Sequence, residues 1–206
     1  TCLAIYNVSR SSEQGYFNFA VGIASATIIF LFKSRKPILG WIALAGSSVS
    51  VLFLLLGILK VGPLADYIFK SSLFARWFYW QAAGKMMIDH PFFGVGMDGY
   101  GDAYLRSRPA SVYSSGFFTV SDTAHSIPLD IGSNGGFPLF FAYVAIIFFA
   151  VLSIVRIMKR KNEFDVVFAT IVAAWVAYQA QSLISINQLG LGVWGWSLSG
   201  LIIGYV

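Results

Sequence analysis

Few side chains in this sequence can do chemistry, and His125 in the polar stretch SDTAHSIPLD is the first to consider. Ser126 can cap a short helix after it, and Pro128 is tolerated in the first turn of such a helix. Gly132 or Gly135 would end that helix. His125 would then lie at a helix N-terminus, which attracts anions and favours a neutral imidazole. A neutral imidazole near pH 7 can act as a general base, and a hydrogen-bonded histidine at an interface fits the local sequence equally well.

A glycine-rich stretch, HPFFGVGMDGY, precedes this histidine in the chain. Its Gly94, Gly96 and Gly99 spell GxGxxG, but the dinucleotide-binding fingerprint needs a preceding strand, a βαβ unit and an acidic residue about 20 positions further on. A loop between membrane-type segments offers no such unit. We therefore expect these glycines to form a tight turn that brings the backbone close to another group.

Two arginines add cations to the set. Arg76 lies in SSLFARWFYWQAAGKMMID, which predicts a helix over residues 71–89 that Pro91 stops. Taken alone, Arg76 fits an interfacial anchor that reaches toward lipid head groups. Arg10 lies close to the start of an apolar segment, and Glu13, three residues on, offers it an ion pair. Local sequence alone therefore favours structural roles for both.

The elements that must position these residues are those of a membrane protein. Hydrophobic residues make up 57% of the chain and charged residues 11%, against about 25% charged residues in average soluble proteins. Because the chain begins and ends within apolar stretches, we expect it to be a single membrane domain, residues 1–206, of a longer protein. The single cysteine, Cys2, excludes an internal disulfide. Five segments meet the requirement of about 20 apolar residues for a membrane span, and they run over 16–32, 37–59, 136–155, 165–184 and 189–206.

Basic residues in two short loops predict the orientation of these spans. The stretches 33–36 (KSRK) and 156–163 (RIMKRKNE) hold seven of the fourteen Lys and Arg residues, and two predicted spans separate them. Both loops therefore lie on one side, which the positive-inside rule assigns to the cytoplasm. Residues 60–135 then form an extracytoplasmic segment that is formally neutral, with six basic residues and six aspartates. The net charge of +5 is thus an insertion signal, and no nucleic-acid partner is expected.

The sequence holds no recognisable metal or cofactor motif. Its two histidines and one cysteine lie far apart, without H-E-x-x-H or Cys/His zinc spacing. No Asp-x-Asp pair is present for holding a nucleotide-sugar metal, and no G-x-S-x-G elbow occurs. We expect a reaction without metal or cofactor, or no reaction.

The ordered motifs resemble the O-antigen ligase and polysaccharide polymerase family of bacterial inner-membrane glycosyltransferases. Their order, side of the membrane and approximate spacing match the family over nearly the whole chain, which looks like its C-terminal catalytic portion. Ser126 stands where the family often has Asn. The matching elements are Ser9 and Arg10 at the outer end of a span, ARWFYWQAA with Arg76, HPFFGVG from His90 to Gly96, AHSIPL with His125, and a glycine-rich entry to the next span.

The resemblance implies an all-α integral membrane protein of the GT-C type in the bacterial inner (plasma) membrane. The donor would be a glycan on polyprenyl diphosphate, and the acceptor would be a hydroxyl of a lipid, a glycan or a protein. Membrane lipids would surround the chain, and residues 60–135 would be its catalytic segment. Arg10, Arg76 and His125 match the family's functional arginines and histidine by position.

These residue types suit the implied chemistry. A leaving diphosphate needs its charge matched, and arginine offers a fixed charge with forked donors for phosphate oxygens. An acceptor hydroxyl needs a base or an orienting acceptor, which His125 can supply. His125 as a cation that holds the diphosphate is equally consistent with the sequence. Substrate-binding residues of second rank are Arg106, Arg108, Gly94, Gly96 and Ser126.

Two other classes of protein compete with this interpretation. A transporter or flippase fragment would place ionisable groups near the middle of the bilayer, but the predicted spans contain almost none. A structural subunit that dimerises through Gly200 and Gly204 leaves the ordered arginines and histidine unexplained. Within the family, ligation to a terminal acceptor is favoured, and polymerisation of lipid-linked repeat units is the alternative.

Overall fold

A computed structural model describes residues 13–34, 36–58, 61–62, 71–116, 118–160 and 163–205. All regular elements within these residues are helices, which agrees with the all-α prediction. The eight helices of this part of the chain are α1 (Glu13–Lys33), α2 (Pro37–Ile58), α3 (Ser71–Asp89), α4 (Tyr100–Ser107), α5 (Ser111–Ser115), α6 (Ile127–Arg160), α7 (Val166–Ser182) and α8 (Leu189–Gly204).

Three of these helices are long and apolar enough to cross a membrane, with candidate spans Gly15–Lys33, Pro37–Ile58 and Ile127–Arg160. The helices α7 and α8 are also apolar but have 17 and 16 residues. They therefore rise about 26 and 24 Å, whereas the hydrocarbon core of a bilayer is about 30 Å thick. Three of the five predicted spans are thus helices long enough to cross a membrane. The other two are confirmed only as apolar helices.

The chain divides into two compact units, of which the first contains α1, the start of α2, α6 from Ile147, α7 up to Gln181, and α8. The indole N–H of Trp175 donates to Ser199 Oγ at 2.8 Å, so the polar atom of this buried ring is satisfied. Burial of apolar side chains from α1, α6, α7 and α8 holds this unit together. Its buried core includes Ile29, Ala150, Phe168, Trp175 and Ile202.

The basic ends of α1 and α6 meet within this first unit. Lys33 Nζ donates to the carbonyl oxygen of Met158, and the rings of Phe30 and Phe164 pack edge to face at 5.2 Å. The two basic loops therefore lie at the same end of the unit, as the charge pattern predicted. The side of the membrane that this end faces stays a prediction.

The second unit comprises residues 49–146 and 182–187. Residues 79, 82, 83 and 86 of α3 are buried. Because they are spaced three and four positions apart, they lie on one face of the helix. That face packs on Tyr100 and Tyr104 of α4, and the Tyr100 hydroxyl donates to the carbonyl oxygen of Tyr79 at 2.8 Å. The helix α3 ends at Asp89, two residues before Pro91, as the sequence predicted.

A kink divides α6 at Gly136, whose φ of 72° and ψ of −175° are not helical. The sequence predicted a short helix after Ser126 that Gly132 or Gly135 ends, followed by a span from Gly136. The helix does begin at Ile127, with Pro128 in its first turn. The break falls one residue after the predicted end, because Gly136 rather than Gly135 takes the left-handed backbone conformation.

Candidate active site

His125 lies against α3 in the second unit, immediately before α6. Its ring centroid is 5.3 Å from that of Tyr79. Tyr79 and Arg76 are three residues apart on α3, and this spacing puts both side chains on one face of the helix. Burial lowers the pKa of the His125 ring most, and the charge of Arg76 adds to this lowering. The structure thus brings together Arg76 and His125, which are 49 positions apart in the sequence.

The backbone of His125 has a φ of 53°, in the left-handed region. A residue with a Cβ pays about 1–2 kcal/mol there, and such strain concentrates at functional sites. The hydroxyl of Thr123 lies 3.0 Å from His125 Nδ1. The Thr123 carbonyl oxygen, 3.5 Å from the same nitrogen, is an acceptor for a proton on Nδ1. With the proton on Nδ1, Nε2 is the nitrogen that can accept a proton from a substrate.

Several groups set the proton affinity of His125. Partial burial lowers its pKa most, and the charge of Arg76 lowers it further. A hydrogen bond with the Thr123 backbone and the charge of Asp122 act in the opposite direction. The net lowering favours the neutral ring at physiological pH. A neutral imidazole can act as a general base, whereas binding phosphate as a cation would require the protonated ring.

Arg76 is half-buried in the same place, and burial lowers the pKa of its guanidinium from the ordinary value. An arginine side chain is protonated throughout the physiological pH range, so the group stays charged. A cation out of bulk water interacts more strongly with an anion than an exposed one does, because screening is weaker. The half-buried position of Arg76 therefore suits a cation that neutralises substrate charge better than it suits the interfacial anchor that the local sequence favoured.

A tyrosine pair connects this site to Arg108. The Tyr79 and Tyr104 rings pack edge to face at 5.6 Å, and Tyr104 is fully buried. The charge of Arg108 partly offsets the rise that burial gives the pKa of Tyr104. Arg108 also lies over the ring of Tyr113 at 4.7 Å and donates to its hydroxyl at 3.2 Å. Arg108 thus belongs to the same side-chain cluster as His125.

The remaining sequence candidates have different surroundings. Arg106 is exposed on α4, and Arg10 lies outside the described residues. Ser126 is buried directly before α6, and its carbonyl oxygen accepts the first helical hydrogen bond, from the Asp130 N–H at 2.8 Å. The catalytic role of Arg10 and the substrate-binding roles of Arg106 and Ser126 stay predictions.

Gly94 and Gly96 bring the backbone close to this chain's own α6. Val95 N donates to the Ser133 carbonyl oxygen at 2.8 Å, and Gly96 N donates to that of Asn134 at 3.1 Å. A Cβ on Gly94 would lie 2.6 Å from the backbone nitrogen of Gly135, too close for any real contact. The turn predicted from the glycines is therefore present, and the group it approaches is protein backbone.

We expect Gly94→Ala to destabilise the protein strongly. The φ of 61° at Gly94 costs an alanine about 1–2 kcal/mol, and forcing the docked backbones apart adds about 1–3 kcal/mol. Thermal denaturation in detergent, followed by circular dichroism, should show a lower midpoint. Gly84→Ala on α3 is the matched control, because a Cβ there meets nothing within 4 Å. Equal midpoints for wild type and Gly94→Ala would show that the turn does not depend on this glycine.

Sequence reasoning missed three residues that shape the site. Tyr79, whose aromatic type alone also suits a membrane interface, is buried between α4 and His125. Thr123 gave no signal beyond its place next to the histidine. Asp130 Oδ1 accepts the backbone N–H of Ala124, which holds the loop before α6 onto that helix. These contacts form only when the chain folds, so no local sequence motif predicts them.

Metal ligands do not converge in the described part of the chain. No group of three or more His, Cys, Asp or Glu side chains there could hold a metal ion. The cluster around His125 instead offers nitrogen donors and a hydroxyl, which suit an anionic or hydroxylated ligand.

The fold and the site define a helical protein of the membrane type with a partly buried arginine–histidine pair. A family model described as O-antigen ligase matches residues 1–144, well over half of the chain, and these residues include Arg76 and His125. The chain therefore belongs to the O-antigen ligase family, as its ordered motifs predicted. No curated protein and no solved structure matches it.

Proposed function

We propose that this chain is the catalytic portion of a glycosyltransferase that moves a glycan from polyprenyl diphosphate onto an acceptor hydroxyl outside the membrane. The observation that carries the proposal is the packing of the His125 ring on Tyr79, one helical turn from Arg76 on α3. Family membership supports a membrane function of the O-antigen ligase or polymerase kind. The donor, the acceptor and the reaction are the proposed parts.

In the proposed reaction the acceptor oxygen attacks the first carbon of the donor sugar. The bond between that carbon and the diphosphate oxygen breaks, and polyprenyl diphosphate leaves with the bonding electrons. His125 Nε2 takes the proton of the acceptor hydroxyl while Thr123 holds Nδ1. Arg76 matches the charge that grows on the leaving diphosphate, which is the role its forked donors suit.

Arg108 has a supporting place in this proposal. Its Nε and the Tyr104 hydroxyl are buried and have no hydrogen-bond partner among the described residues. Buried polar groups usually have partners, and an unsatisfied donor is costly. A phosphate or sugar oxygen would satisfy both. Arg108 is therefore a better substrate contact than the exposed Arg106, and Arg10 keeps the predicted role of a second diphosphate contact.

The test is a transfer assay with the full-length protein in nanodiscs. A polyprenyl-diphosphate-linked glycan is supplied with either a lipid-linked terminal acceptor or a second lipid-linked repeat unit. We expect a glycosylated acceptor and free polyprenyl diphosphate in equal amounts, with the same rate in the presence of a chelator. Product with the terminal acceptor indicates ligation, and product with the repeat unit indicates polymerisation. Failure with every acceptor hydroxyl would overturn the proposal, and loss of activity in chelator would overturn its metal-free chemistry.

A further inference from the structure

The turn between α3 and α4 presents large apolar side chains to the outside of the second unit. Phe92 is 70% exposed, Phe93 is 85% exposed and Met97 is 87% exposed. Scattered apolar residues on a surface need no explanation, but a group confined to one short turn marks an interaction surface. We call these three side chains the apolar tip.

The backbone that carries the apolar tip is fixed in place. Phe137 N donates to the Pro91 carbonyl oxygen at 2.8 Å, and the Val95 and Gly96 amides donate to carbonyl oxygens of α6 on the other side of the turn. Gly136 packs so closely that a Cβ there would lie 2.6 Å from the Phe92 carbonyl carbon. The tip is therefore held in a defined orientation against the kink of α6.

The kink places the apolar tip next to a membrane-type surface. Directly after Gly136 the chain enters the apolar part of α6, within the candidate span Ile127–Arg160. Leu139 and Phe141 in its first turns are 45% and 61% exposed. The turn that carries the tip is thus docked at the start of a helix surface whose composition fits lipid.

We propose that Phe92, Phe93 and Met97 insert into the lipid interface of the bilayer and anchor the second unit at that depth. Aromatic rings are enriched at this level of a membrane, where one side is apolar and the other is wet. The adjacent Asp98 and Asp102 are exposed and charged, so they mark the water-facing side of the anchor. Lipid fits the tip better than a protein partner, because the turn docks on a helix that is long and apolar enough to cross a membrane.

The anchor also sets the depth of the site. Ile127, the first residue of α6, lies six residues before Ser133, where the turn docks. Six residues of helix rise about 9 Å, so the His125 loop lies within roughly that distance of the docked turn. The head-group region is about 5–8 Å deep on each side of the hydrocarbon. An anchored turn thus keeps the site near the level of lipid head groups, whichever reaction the site performs.

Site-directed spin labelling tests the insertion without any activity assay. Cys2 is the sole cysteine of this sequence, and Cys2→Ser removes it. Any cysteine in other parts of the full-length protein is replaced as well, so that the label attaches only at the chosen position. A label at Phe93→Cys is compared in nanodiscs with one at Asp102→Cys, exposed on α4, and with one at Leu139→Cys. Collision rates with oxygen, which partitions into lipid, and with a water-soluble nickel chelate are measured.

We expect the labels at 93 and 139 to collide more with oxygen than with nickel, and the label at 102 to show the reverse. A label at 93 that behaves like the one at 102 would overturn the proposal. Shielding of the label at 93 from both reagents would also overturn it, because a protein partner would then cover the tip. Met97→Cys is the second variant, used if Phe93→Cys does not fold.

Discussion

Replacing His125 by alanine is expected to lower the rate of glycan transfer by about 100- to 10,000-fold, the contribution typical of a positioned general base. The imidazole is the proton acceptor in the proposed step, and alanine offers no acceptor. Rates are measured at saturating lipid-linked donor in nanodiscs, together with the amount of folded protein in the membrane. We expect the folded amount to stay near that of wild type.

The second histidine of the chain provides the matched control. His90 is exposed directly after α3. Its backbone N–H donates to the Met86 carbonyl oxygen at 2.9 Å, and its carbonyl oxygen accepts from the Gly94 amide at 2.9 Å. His90→Ala should therefore retain the wild-type rate. A His125→Ala protein that transfers glycan as fast as His90→Ala would remove His125 from the mechanism.

The pH dependence separates the two roles that the sequence left open for His125. Burial and the charge of Arg76 lower its pKa from the ordinary value near 6.5. A base is active while neutral, so the rate should hold as the pH falls through 6.5 and decline only below it. A cation that holds diphosphate would behave oppositely, with the rate falling as the pH rises. A rate that falls as the pH rises through this range would thus show that His125 binds phosphate.

The same lowering has a consequence for stability. Because the folded state binds the proton of His125 less tightly than the unfolded state does, this residue contributes stability above about pH 6.5. That contribution is lost as the pH falls through the ordinary value toward the lowered one. Acid should therefore reduce the rate and remove the contribution of His125 to stability.

Local sequence predicted the elements of the site well, because helix signals act over a few residues. Pro91 ends α3 and Ser126 precedes α6, as expected from proline and capping chemistry. The apolar runs also predicted helices wherever the structure describes them. Their lengths were less predictable: α7 covers Val166–Ser182 within the predicted 165–184, and α8 ends at Gly204.

Local sequence patterns did not predict the contacts that complete the site. Tyr79 separates α4 from His125, and its aromatic character alone fits a membrane interface equally well. The glycines at 94 and 96 correctly predicted a close approach of backbone, but the approached group was α6. A sequence pattern states what geometry a residue allows, and only the folded chain decides which group it meets. The pairing of Arg76 with His125 came from the family resemblance rather than from spacing.

Replacing Arg76 by alanine is expected to lower the transfer rate by about 100- to 1,000-fold, the effect of removing a donor aimed at developing charge. Arg76→Lys should recover part of this rate, because lysine keeps the charge but loses the forked donors that match phosphate. Lys85→Ala is the matched control on the same helix, since Lys85 is exposed and pairs with Asp89 at 2.8 Å. It should transfer at the wild-type rate.

The pH profile of the residual activity tells whether Arg76 acts where the structure places it. Its charge lowers the pKa of His125, so its removal makes the ring easier to protonate. The acid limb of the Arg76→Ala profile should move to higher pH, whereas that of Arg76→Lys should stay near wild type. A full rate in Arg76→Ala would exclude the diphosphate role. A reduced rate with an unmoved acid limb would instead place Arg76 too far from His125 to share one site, since a charge that contacts the same substrate must also act on the base beside it.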